Sequence, residues 1–362
     1  MVVASPSPIR QEKVRALGVP VVDLSQKSGG RAAELMVRAC EEFGFFKVIN
    51  HGLPVEVVAG MEAEAVGFFT LPPEEKQRAG PPSPLGYGSR SIGFNGDTGE
   101  VEYLLLPANR SAISQRANAI CSSNPDKFSC VVGEYVEAVR GLACDILEML
   151  GGGLRLPDRS TFASLAGGAD SDSLLRLNYY PPCGNDKDTE EGKDSHCRSS
   201  GGDAAVVGFG EHTDPQVVTL LRSNDAPGLQ VLFPPDASDG GGGGGGVWVP
   251  VPPDPSAFFI IVGDVLQAMT NGRLLSARHR AVVSAAKARL STVYFAAPPL
   301  QARIAPLPEM VATRRPCLYK AFTWGEYKKA MYTLRLGHNR LDLFRKNPDE
   351  EQEDWVPRTP HD

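Results

Sequence analysis

The sequence predicts a mainly β protein, with a double-stranded β-helix (jelly roll) core wrapped by N- and C-terminal α-helices. Two patterns and one constraint point there. Apolar residues recur at helical spacing through the first part of the chain, whereas from about Leu174 short β-rich runs alternate with Gly, Pro, Asn and Asp clusters. Many short strands at close intervals imply an antiparallel sandwich or barrel. The polar residues singled out below must also converge on one interior, which favours the jelly roll among all-β forms. The expected organisation is a mostly helical region over 1–165, the jelly-roll core over 166–310 and a helical extension over 311–362.

Taken in order, 31–43 places Ala32, Leu35, Ala39 and Phe43 on one helical face, and Gly44 then punctuates before "FFKVIN", which reads as a strand. Val58, Met61, Ala65 and Phe69 predict a helix over 55–69; Tyr135, Val139, Leu142, Ile146 and Leu150 predict another over 130–150. The strands follow as "LLRLNYY", "VVGFGEH", "VVTLL", "GLQVLF", "VWVPV", "AFFIIV", "HRAVV" and "RLSTVYFAA". Thr323 with Glu326 forms a capping-box signature that opens a last helix, packed back on the sheet. Residues 183–203 lack apolar anchors and Gly240–Gly246 is an unbroken glycine run, so both read as lengthened loops. Each doubling of loop length costs only about 0.6 kcal/mol.

The totals narrow the class of function. The chain has 362 residues and a net charge of −6. No basic run is longer than Arg314–Arg315, which argues against a nucleic-acid partner and for a small-molecule substrate. Seven cysteines are scattered without a CxxC pair, so reduced thiols are expected, including Cys183 and Cys197 on either side of a polar loop. The first twenty residues hold no apolar stretch suited to a signal or a membrane span. The expectation is a soluble cytoplasmic protein, with the nucleus as a second compartment, no membrane partner, and a monomer or weak homo-oligomer.

The chemistry sits in "GFGEHTDPQVVTLL". In a strand, residues i and i+2 face the same way, so His212 and Asp214 would aim an imidazole and a carboxylate at one point. A third ligand must come from elsewhere among six histidines. His196 lies in the polar loop, His361 in the acidic tail and His338 after the last helix, and His51 reads as a hydrogen-bonding turn residue. His279, which opens a strand after the turn "TNG", is the best candidate. Two histidines and a carboxylate with open positions suit non-haem Fe(II). The same donors also describe catalytic zinc.

"ARLSTVYF" separates these readings. Arg289 and Ser291 share a strand face, and a buried guanidinium needs an anion. No acid occurs in Arg289–Ala297, so the expected partner is a dicarboxylate whose keto-acid end chelates the metal. The other reading puts Arg289 on the outer face, solvated or paired with a surface acid. Asn178 and Tyr180, also at i and i+2, end their strand at Pro181–Pro182 and could complete the co-substrate pocket.

Together, "HTD", His279, "RLS", "NYYPPC" and the N-terminal "CEEFGFFKVINHG" resemble the plant Fe(II)- and 2-oxoglutarate-dependent dioxygenases, from about Val19 to Phe344. Within them, 84–106 and 332–344 resemble the gibberellin 2-oxidases, which hydroxylate C19 gibberellins at C2 and inactivate them. The resemblance implies that His212, Asp214 and His279 hold iron. It implies that Arg289 and Ser291 clamp the C5 carboxylate of 2-oxoglutarate, with Tyr180 as a further donor and Asn178 nearby. O2 and ascorbate are the implied co-reactants. The chain departs from the subfamily in having Arg90-Ser91 where Lys-Arg is usual and Glu100 where Trp is usual.

A gibberellin needs apolar walls and a cation or donor for its carboxylate, and Arg90 and Tyr103 are the candidates. The competing readings are another small-molecule 2-oxoglutarate oxygenase, such as a different gibberellin oxidase or a flavonoid-type enzyme, and a non-catalytic jelly-roll binding protein. The Arg289 and Ser291 pair argues against the last, since a relic has no need of a co-substrate clamp.

Overall fold

The computed structural model describes residues 18–25, 30–92, 96–182, 206–233, 246–312, 315–337 and 339–346. The loop expectations for 183–203 and 240–245, with Cys183, Cys197, His196, His338 and His361, lie outside these residues.

The N-terminal region runs β1 (Val21–Asp23), α1 (Arg31–Glu42), β2 (Phe45–Ile49), α2 (Val55–Phe69), α3 (Pro73–Gln77), β3 (Gly86–Ile92), β4 (Asp97–Pro107), α4 (Arg110–Ile120), α5 (Pro125–Gly153) and α6 (Thr161–Gly167). The core follows as β5 (Leu174–Tyr180), β6 (Val207–His212), β7 (Val218–Ser223), β8 (Leu229–Phe233), β9 (Val247–Pro250), β10 (Phe258–Val262), α7 (Asp264–Met269), β11 (His279–Val282) and β12 (Arg289–Ala296). Last come β13 (Arg303–Ile304), β14 (Phe322–Thr323) and α8 (Trp324–Met331). No described helix is long and apolar enough to cross a membrane.

One sheet has the order β1-β2-β10-β7-β12-β5-β4-β3 and a second has β6-β11-β8-β9. Strands β5 to β12 thus distribute between two facing sheets, as a jelly roll requires. The larger sheet crosses the expected boundary at residue 165. Its outer strands β1, β2, β3 and β4 all come from the region read as mostly helical. The 311–346 stretch holds β14 and α8, and the capping box of Thr323 and Glu326 forms as the sequence indicates.

Alternation along the shared strands sets two environments. On β12, Leu290, Tyr294 and Ala296 join the main core, whose spine is α5 with Val132, Tyr135, Val136, Val139 and Ile146 buried. Arg289, Ser291, Val293 and Phe295 face the space between the sheets. Strand β5 does the same, with Leu175 and Leu177 in the core and Arg176, Asn178 and Tyr180 inward. The period of two therefore delivers five polar side chains to one interior. Gly44 ends α1 at φ +65°, and any Cβ there would collide with the Leu275 carbonyl, so only glycine lets β2 begin where it does.

Candidate metal and co-substrate site

His212 ends β6 and stands directly opposite His279 at the start of β11, in the antiparallel ladder of the smaller sheet. Their ring centroids are 4.2 Å apart. Asp214 departs from the expected geometry. The strand stops at His212, so Asp214 lies in the following loop rather than two residues along the same strand. Pro215 has no N–H to extend a ladder, and the Asp214 carbonyl instead accepts from the Asp264 N–H at 2.8 Å. The carboxylate still reaches the histidines, with Oδ1 3.6 Å from His212 Nε2 and Oδ2 3.8 Å from His279 Nε2. Thr219 Oγ1 fixes it by donating to Oδ2 at 2.6 Å. All three donor atoms fall within 4.8 Å of one another.

Both imidazoles are prepared as ligands. His212 Nδ1 contacts the Gly210 carbonyl at 2.7 Å and His279 Nδ1 contacts the Ala277 carbonyl at 3.1 Å. A carbonyl can only accept, so each Nδ1 carries a proton and each ring is turned with Nε2 toward Asp214. Burial, reinforced by the His279 ring, holds His212 well below the usual imidazole range and keeps it neutral. Two imidazole nitrogens and one carboxylate, with a cavity on the open side, fit a divalent ion such as Fe(II).

A cavity of about 470 Å³ extends from these three residues to Arg289, Ser291, Tyr180 and Asn178. Arg289 is 2% exposed, which excludes the outer-face reading. It pairs in register with Tyr180, and Ser291 pairs with Asn178. The Asn178 Nδ2 donates to Ser291 Oγ at 3.3 Å. Among the described residues no carboxylate pairs with Arg289, whose pKa burial lowers and Tyr180 alone counters. A guanidinium held dry without an acid is suited to a carboxylate arriving from solution. Gly228 lies against the Arg289 stem, where a Cβ would come within 2.9 Å of Cδ.

A second, open cleft of about 920 Å³ adjoins the first and shares Arg176, Phe209, His212, Asp214 and Phe295 with it. Ile92, Leu105, Leu334 and Leu336 give it apolar walls. Tyr103, 4% exposed, lines it. Arg90 does not. At φ +60° it sits in a register shift between Ser89 and Ser91, which turns its side chain outward to Glu100 at 3.6 Å with 61% of it exposed. The cleft is lined instead by Arg340 and by Arg176, which sequence reasoning passed over although it shares the i, i+2 face of Asn178 and Tyr180. His51 is a turn residue as read, its Nδ1 accepting from the Leu53 N–H at 3.1 Å.

Residues 171–298 match the 2OG-Fe(II) oxygenase superfamily profile, and 19–103 match the N-terminal domain described as that of a non-haem dioxygenase in morphine synthesis. A rice protein, gibberellin 2-beta-dioxygenase 2, is 56% identical over 91% of this chain and 87% of its own. The chain belongs to the gibberellin 2-beta-dioxygenase family of the 2OG-Fe(II) oxygenases. A gibberellin 2-beta-dioxygenase of Phaseolus coccineus is 47% identical, over 91% of this oxygenase and 92% of its own length. Among solved structures, JOX2 in complex with 2OG, Fe and JA superposes with a TM-score of 0.74 at 27% identity, covering 94% of this chain and 93% of that one. The rice dioxygenase for auxin oxidation gives 0.70 at 26%, covering 91% and 100%. The oxygenase is accordingly an Fe(II)- and 2-oxoglutarate-dependent enzyme, and its donor set and dry arginine suit both groups.

Proposed function

We propose that the protein hydroxylates gibberellins at C2, with C19 gibberellins as its substrates, and thereby inactivates the hormone. The observation that carries this reading is the joining of two cavities at His212, Asp214 and Phe209, in a chain 56% identical to a gibberellin 2-beta-dioxygenase. A rigid, mostly apolar substrate in the cleft has its edge against the open side of the ligand triad.

In this reading His212, Asp214 and His279 hold iron. Arg289 and Ser291 take the far carboxylate of 2-oxoglutarate, with Tyr180 packed over the guanidinium. Fe(II) with 2-oxoglutarate and O2 supplies the oxidising chemistry that puts a hydroxyl in place of a C–H hydrogen. The side chains need no strong acid or base. The rings of Phe209 and Phe295 exclude water, and the cleft walls hold one C–H beside the metal face. Action in the cytoplasm or nucleus as a monomer or weak homo-oligomer belongs to the same reading.

The test is incubation with Fe(II), 2-oxoglutarate, ascorbate and a panel of C19 and C20 gibberellins, followed by mass spectrometry. The expected product is a gibberellin heavier by one oxygen at C2, formed with succinate. Succinate formation driven by a different compound, with every gibberellin unchanged, rejects the reading.

A further inference from the structure

Arg176 has no part in the chemistry above, yet it stands in the wall between the two cavities. Its Nε donates to Asn178 Oδ1 at 2.7 Å, which fixes the plane of the guanidinium. Its Cζ lies 3.9 Å from the Tyr103 ring centroid and 4.9 Å from that of Phe209, so aromatic rings cover it. The Nη2 nitrogen is buried at the cavity wall and has no hydrogen-bond partner among the described residues. An orphan donor of this kind is destabilising, so its retention points to an acceptor that comes and goes.

The other cleft arginine is placed differently. Arg340 also keeps a buried nitrogen, Nε, without a partner among the described residues, but it donates to the Leu336 carbonyl at 3.4 Å, lies close enough to the buried Asp264 to influence that carboxyl, and does not reach the cavity that holds the metal donors, as Arg176 does. Burial works against the charge of Arg176, and what offsets it is Tyr103, Tyr180 and then Asp214, a carboxylate committed to the metal. Arg289 and Ser291 are likewise committed to the co-substrate. Asn178 joins the two halves of the site, accepting from Arg176 and donating to Ser291.

We infer that Arg176 is the carboxylate-binding residue for the substrate, its Nη2 edge receiving the gibberellin carboxylate and so fixing which C–H faces the metal. This rests on the function proposed above and gives Arg176 the role that the sequence assigned to Arg90. With Nε tied to Asn178 and the rings packed on the guanidinium, an anion approaches in the plane of the fork, which makes the contact orienting as well as attractive.

The test compares kinetics of the iron-loaded, full-length enzyme on a C19 gibberellin, its methyl ester and the analogue with the carboxyl reduced to a primary alcohol. The wild type is expected to lose roughly 10- to 100-fold in kcat/KM on both neutral compounds. Arg176→Gln should lose a similar factor on the acid alone, with KM for 2-oxoglutarate within about twofold of wild type, and Arg176→Lys should recover part of the loss. Equal wild-type rates on all three compounds overturn the assignment. So does a variant that loses the same factor on each, or one whose loss is a raised KM for 2-oxoglutarate. If Arg176→Gln does not fold, the wild-type ratio of acid to alcohol and the Lys variant decide. Failure of the wild type on every gibberellin would sink the proposed function itself, whereas turnover without discrimination sinks only the role of Arg176.

Discussion

Tyr327, on the C-terminal helix α8, donates its phenol to the buried Asp264 carboxylate at 2.6 Å. Asp264 also accepts from Thr213 Oγ1 at 3.1 Å, and its N–H holds the Asp214 carbonyl. The last helix is thereby tied to the loop that follows His212 and presents Asp214. Tyr327→Phe removes a hydrogen bond to a buried carboxylate, a loss of about 1.5–3 kcal/mol. Chemical denaturation should show that loss, and a metal titration should show weaker binding although Tyr327 touches no donor atom.

Thr219 bears on the same carboxylate from β7. Thr219→Val keeps the shape of the side chain but leaves Asp214 Oδ2 without its 2.6 Å donor. Metal affinity should fall about 10- to 100-fold, as for other partners of ligating side chains. Thr219→Ser should restore most of it. Calorimetric titration with Fe(II) under anaerobic conditions measures both, and an unchanged affinity in the Val variant would show that Asp214 needs no such support.

Arg289→Lys keeps the charge but loses the planar fork, and Arg289→Gln loses the charge as well. Breaking a buried, hydrogen-bonded charge pair costs about 2–5 kcal/mol, so kcat/KM for 2-oxoglutarate should drop by well over tenfold in the Gln variant and less in the Lys variant. Ser291→Ala removes the hydroxyl that meets the same carboxylate and accepts from Asn178 Nδ2, and should cost about 1.5–3 kcal/mol, with the guanidinium still in place. Initial rates against 2-oxoglutarate concentration read out the series.

The metal-free protein should lose stability as pH falls. His212 is held well below its ordinary value of 6.5, chiefly by burial. Just below that value the unfolded chain binds a proton that the folded chain refuses, so acidification favours unfolding, by at most about 1.4 kcal/mol per pH unit for this group. The effect starts as pH drops through 6.5 and ends only at the lower folded value. Urea denaturation at several pH values measures the slope, and His212→Gln should flatten it.

Much of this was legible in the residues because the code involved is short-range. Helix α2 occupies Val55–Phe69 as its periodicity indicates, and the alternation in "LLRLNYY" and "RLSTVYF" placed Asn178, Tyr180, Arg289 and Ser291 on one face. Helix α5 starts earlier than its apolar pattern, at Pro125 behind an Asn124 cap, a boundary that the Asn-Pro pair carries and hydrophobicity does not. The hairpin of β3 and β4 was hidden by the Gly, Ser and Arg residues of β3, which have low strand propensity. Arg90 was misplaced because one residue at positive φ shifts the register and reverses the face, which residue spacing cannot reveal. Asp214 met its partners by a different route, through a loop pinned by Asp264 and Thr219, long-range contacts invisible to a local pattern.

The strands contributed from before residue 165 flank the barrel's larger sheet on both sides, β2 against β10 and β4 against β5. A fragment starting at residue 166 would keep Leu174–Tyr180 paired with β12 and Phe258–Val262 paired with β7 but strip the partners from their outer edges, and such raw margins recruit other chains. The segment ahead of the catalytic half is thus a protective hem for it. Expression of that half by itself should yield self-associating material rather than a trimmed enzyme.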